Sequence, residues 1–168
     1  SASRATMDVC MGQAYQPLRS TARAGTMFLA RGLRGGCVAL KAVRDVARQP
    51  LLIGMVHARA LPGSPRAGRS VAEIVRVAVE EAEVLEGEGF GGIIVENMHD
   101  TPYVNGPHAP ETVAAMTRVV AAVREAAPRV LLGVQVLSMG HMEALAIAHA
   151  CGGDFIRVEN FAFAHVAD

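Results

Sequence analysis

Polar residues follow immediately after four apolar runs of this chain. They are His57 after the first; Glu96, Asn97, His99 and Asp100 after the second; Gln135 and Ser138 at the third; Arg157, Glu159 and Asn160 at the fourth. Ends of buried strands are where parallel α/β folds collect catalytic groups. Imidazole and carboxylate groups converging there could move protons in general acid–base chemistry, or share a divalent cation. His57, Glu96 and Glu159 are the catalytic candidates; Asn97, Asp100, Gln135 and Arg157 are the candidates for holding a substrate. Each has a structural alternative. A glutamate could pair with Arg157, Asp100 could cap a turn, and His57 could bond a neighbouring loop. His108, His141 and His149 read as surface or helix residues, and Cys151 as core. No phosphate loop, zinc-protease helix or nucleophile elbow occurs, so no cofactor is specified.

These groups need a scaffold, and the apolar runs supply its outline. Leu51–Val56, Gly92–Val95, Val130–Leu137 and Phe155–Val158 are short, apolar and continuous, the pattern of strands buried on both faces. Between them lie amphipathic stretches. Ser70-x-x-Glu73 is a capping box, followed by Val71, Ile74, Val75, Ala78, Val79, Ala82 and Leu85 at helical spacing and by Gly87 and Gly89 as stop signals. Pro110 suits the first turn of a second helix with Val113, Met116, Val120 and Val123 as its stripe, and Pro128 ends it. A third helix is expected over Gly140–Cys151. Crossovers of this length require parallel strands. Val95-Glu96-Asn97 recurs as Val158-Glu159-Asn160 two units later, which sets a period of about 31 residues and matches a (β/α)8 barrel. No G-x-G-x-x-G follows the first strand, which disfavours a doubly wound dinucleotide fold. Four strands are half a barrel, so strands one and four should leave open edges. A chain of this length should then be stable only as a homo-oligomer.

The 168 residues are 51% hydrophobic and 19% charged, enough to bury a core. The formal net charge of zero hides a segregation. Residues 1–50 carry eight basic residues against two acids, and residues 51–168 carry eight Arg against fourteen acids and all six His. Residues 1–49, Arg-rich and nearly acid-free, read as a poorly ordered leader with the composition of a mitochondrial or plastid transit peptide; without such an address the chain is cytoplasmic. Residues 50–168 form the globular segment. Three scattered Cys make neither a disulfide framework nor a zinc knuckle. No apolar run approaches the ~18 residues of a membrane span, which leaves only peripheral membrane association. Low aromatic content, with no Trp, and an acidic body argue against nucleic acid as a partner.

Several strings together resemble the BtpA family of predicted TIM-barrel proteins. They are Ile53-Gly54-Met55-Val56-His57 with Leu61-Pro62-Gly63-Ser64-Pro65; Ile93-Ile94-Val95-Glu96-Asn97 with Asp100 and Pro102-Tyr103; Pro110–Thr117; Gly133–Leu137; and Asp154–Glu159. The resemblance implies a barrel of the ribulose-phosphate-binding type, present as its first four βα units. It also implies two functions: an enzyme acting on a small, phosphorylated metabolite, or a non-catalytic biogenesis factor for a membrane complex such as photosystem I. A truncated, inactive product is the third reading. Ser138-Met139-Gly140-His141 stands where bacterial members carry Arg-Asn-Asp, as in animal-type members.

Overall fold

The computed structural model describes residues 27–29 and 51–160. Strands β2 (Ile53–His57), β3 (Gly92–Glu96), β4 (Leu131–Gln135) and β5 (Phe155–Arg157) alternate with helices α1 (Val71–Gly87), α2 (Pro110–Ala126) and α3 (His141–Cys151). All three pairings among these strands are parallel, in the spatial order β5-β4-β3-β2. This α/β pattern is compatible with the first four βα units of a TIM barrel.

The sequence reading contains no counterpart to β1 (Met27–Leu29), which pairs antiparallel with β5 at the edge expected to be open. The rest of the basic segment lies outside the described residues. The open edge on β2 agrees with expectation among the described residues.

Local chemistry explains the elements. Ser70 Oγ accepts from Glu73 N–H at 3.3 Å while Glu73 Oε2 accepts from Ser70 N–H at 2.8 Å, so the capping box is closed in both directions. Pro110 occupies the first turn of α2, where its missing N–H costs nothing. Gly152 ends α3 in the left-handed conformation at φ 67°. The third predicted strand, Val130–Leu137, is shorter than its apolar run: Val136 and Leu137 leave the ladder to bond the turn before α3 and the side chain of Asn97.

The strands divide their side chains between two faces. Val56, Ile93, Val95, Leu132, Val134 and Ile156 pack against Ile74, Ala78, Met116, Val119, Val120, Val123 and Ile147 of the helices to form the core. Burial of each such side chain contributes about 1.5–3 kcal/mol. The opposite face carries Met55, Ile94, Gly133 and Phe155 in one row. Gly133 is required there, because a Cβ would lie 2.3 Å from the Phe155 ring and 2.9 Å from Ile94. Arg124 locks the far end of the sheet by donating to the carbonyls of Ala127 (2.6 Å) and Val130 (2.8 Å) and pairing with Asp154.

Candidate functional site

One step along the strands from that apolar row lies a polar one. The ladders put His57 level with Glu96 and Glu96 level with Gln135, and the β4–β5 register carries Arg157 to the same level. A period of two sends all four to the face opposite the helices, at the carboxyl ends of the strands. Glu96 sits at the centre, 4% exposed, with Oε1 3.1 Å from His57 Nε2 and Oε2 3.6 Å from Arg157 Nη1. A carboxylate this buried needs cationic or donor neighbours to remain charged. Both of its neighbours reach solvent: the His57 and Arg157 side chains are 40% and 47% exposed.

Glu159 arrives from beyond β5. Its Oε1 accepts from the Met139 N–H at 3.1 Å, tying the end of β5 to the turn after β4. Met139 and Asn160, the two described non-glycine residues with positive φ (58° and 50°), flank this junction. Asn tolerates the left-handed region, whereas Met stores strain in it, and such strain concentrates at functional sites.

These groups surround a cavity of about 500 Å3, within the range of small-molecule sites. His57, Glu96, Gln135, Arg157 and Glu159 all line it, so the structure brings five of the seven candidate residues together. Met55, Leu137 and Met98 supply apolar wall. Two buried polar atoms at the cavity, Gln135 Oε1 and Ser138 Oγ, have no partner among the described residues.

The other two candidates lie beside a separate cleft of about 190 Å3 between the loops after β2 and β3 and the start of α2. Asn97 Nδ2 donates to Asp100 Oδ2 (3.0 Å) and to the Leu137 carbonyl (3.1 Å), while its Oδ1 accepts from Leu137 N–H (2.7 Å). Asp100 Oδ1 accepts from Leu61 N–H at 2.7 Å. Together they clamp three loops around the strand ends.

Met98 and Tyr103 also line the larger cavity; the Tyr103 hydroxyl donates to the Met98 carbonyl at 2.8 Å, folding the loop back on itself. No spacing in the sequence signals that fold-back. His99 packs edge-on to His57 with centroids 6.4 Å apart and shares Arg59 with Glu81. His108 bonds the Ser138 carbonyl at 3.0 Å. Cys151 is half-buried, and burial pushes its thiol pKa up. Among the described residues no group of three or more His, Cys, Asp or Glu could hold a metal ion, and no helix is long and apolar enough to cross a membrane.

A parallel sheet with outer helices and a polar row at its carboxyl ends defines the α/β class to which barrel proteins belong. Within that class the sequence profile of the BtpA family matches residues 48–168, and the chain belongs to that family. It is 43% identical over 124 residues to an uncharacterized mitochondrial protein of Caenorhabditis elegans, covering 71% of this chain and 45% of that one. It is 42% identical over 114 residues to an uncharacterized protein of Pyrococcus furiosus, covering 68% and 42%. The photosystem I biogenesis protein BtpA of Synechocystis is 39% identical over 109 residues, covering 64% and 37%. The chain thus spans less than half the length of these relatives. No solved structure matches it significantly.

Proposed function

We propose that these residues are the first half of a TIM-barrel enzyme that performs acid–base chemistry on a small, anionic, phosphorylated metabolite. The observation that supports this best is the His57–Glu96–Arg157 group set across three strand ends around one cavity. His57 Nε2 lies 3.1 Å from Glu96 Oε1, and its imidazole is the base in this reading. Glu96 holds its carboxylate beside that ring. Arg157 offers a half-exposed guanidinium to a substrate oxyanion, and Glu159 provides a second carboxyl on the opposite side of the strand row. In barrels of this kind the phosphate site is frequently formed by the loops after strands seven and eight.

The test is a thermal-shift screen of the full chain against phosphorylated and carboxylated metabolites, followed by turnover assays with the ligands that bind. His57→Gln should reduce turnover by about 10²–10⁴-fold, the usual contribution of a positioned base. An unchanged rate removes His57 from the mechanism.

The Synechocystis relative supports a second reading, a biogenesis factor that docks on a membrane complex. Retention on organellar membranes, with no small ligand found, would favour it. The mitochondrial relative and the basic first fifty residues support import into mitochondria. A reporter fused to residues 1–50 that stays diffuse in the cytosol would refute that.

A further inference from the structure

Outside the cavity lining, a line of side chains leads from α1 to His57. Glu81 of α1 accepts from Arg59 Nη2 at 2.9 Å, and Arg59 Nη1 lies 3.2 Å from His99 Nε2. The His99 ring meets that of His57 at 80°, with centroids 6.4 Å apart. Arg59 stands just past the end of β2, His99 in the loop after β3, and Glu81 within α1. The Ala58 N–H donates to the Glu96 carbonyl at 2.9 Å, which carries the β2–β3 ladder beyond its last pair and brings the two loops together. Stability alone is a weak reason for this line, because an ion pair as exposed as Arg59–Glu81, at 38% and 36%, contributes little.

The partners fix the state of His99. A guanidinium only donates, so His99 Nε2 accepts, which puts the single ring proton on Nδ1 and leaves the ring uncharged. A doubly protonated His99 would turn a donor toward Arg59 and set two cations side by side. The planar fork of Arg59, aimed by Glu81, thus selects one tautomer and one orientation of the ring. His57 needs such a neighbour. Its side chain is 40% exposed, and Glu96 lies beside one ring nitrogen, a contact about which the imidazole can pivot. An edge-to-face ring at this distance resists the pivot. Displacing a catalytic group by about 1 Å can cost roughly 100-fold in rate.

We infer that His99 is a positioning residue for His57: Arg59 holds it in the Nδ1–H tautomer, and its ring braces the His57 imidazole beside Glu96. The inference rests on His57 being the base and adds what keeps that base aimed. It also divides the two imidazoles by task. His57, next to a carboxylate, can take up a proton; His99, next to a guanidinium, cannot do so without losing its partner.

NMR of the full chain carrying isotopically labelled histidine tests both parts without a substrate. Long-range proton–nitrogen correlation at neutral pH should show His99 in the Nδ1–H tautomer. Ring-carbon relaxation should give His57 an order parameter of about 0.85, the rigid end of the scale. Arg59→Met should average the two His99 tautomers and drop the His57 value below about 0.6. His99→Gln keeps an acceptor for Arg59 but removes the ring, and should loosen His57 to the same degree. An Nε2–H or doubly protonated His99 overturns the inference, as does a mobile His57 ring in the unsubstituted chain; neither result depends on a variant folding. So does a His57 ring that stays rigid in His99→Gln, which would show that the contacts only tie the loops to α1. Turnover indifferent to His57, with both rings ordered as expected, removes the base and leaves the brace. A mobile His57 ring in a chain whose turnover needs His57 does the reverse.

Discussion

Replacing Asn97 by Ala would remove the clamp that joins the ends of β3 and β4. Asn97 is 1% exposed and spends its whole amide on protein partners: two donated bonds, to Asp100 and the Leu137 carbonyl, and one accepted from Leu137 N–H. Alanine leaves a buried N–H, a buried C=O and one carboxylate oxygen without their partner. Each orphan costs about 1–3 kcal/mol. The lower end applies to the Asp100 oxygen, since Asp100 is 9% exposed and water can reach it more readily than it can the Leu137 amide. The sum is about 3–5 kcal/mol, a large part of the roughly 5–15 kcal/mol that holds a domain folded. Guanidinium unfolding of the full chain, followed by circular dichroism, measures it. Val104→Ala, at an exposed loop position, is the control and should change stability by no more than about 0.5 kcal/mol. An Asn97→Ala chain less than about 1 kcal/mol weaker than the parent would show that water replaces all three bonds. The clamp would then contribute little to holding the site.

Gly133→Ala should cost about 1–3 kcal/mol, because its Cβ cannot share space with Phe155 and Ile94; an undiminished denaturation midpoint would show that the ring simply rotates away. Glu73 has its pKa lowered, first by the Ser70 side chain and then by the Ser70 backbone N–H. Its contribution to stability is therefore present above the unfolded carboxyl value and lost as pH falls through the lower folded value. Ser70→Ala should weaken this acid-side dependence, which melting curves between neutral and acidic pH would reveal; an identical slope in both chains contradicts the capping account.

Much of this protein is decided locally and is therefore legible in the sequence. Ser70 and Glu73, Pro110 and Gly152 set helix boundaries through bonds and backbone preferences that span only a few residues. Four apolar runs separated by crossover-length helices allow only parallel pairing, and the spacing of Val95-Glu96-Asn97 from Val158-Glu159-Asn160 carries the barrel period. That His57, Glu96, Gln135 and Arg157 stand at strand ends also follows from the runs. What each then does was decided by tertiary structure, because side-chain direction alternates along a strand and neighbours across the sheet are distant in the chain. Glu96 and Asn97 are adjacent in sequence, yet one turns to the face opposite the helices between His57 and Arg157 and the other bonds Leu137, forty residues away. The unsatisfied atoms of Gln135 and Ser138 are likewise visible only in the fold, since burial and pairing belong to the packed chain. The same holds for the pairing of Met27–Leu29 with β5, where a basic, aperiodic segment finds an edge that its own sequence does not announce.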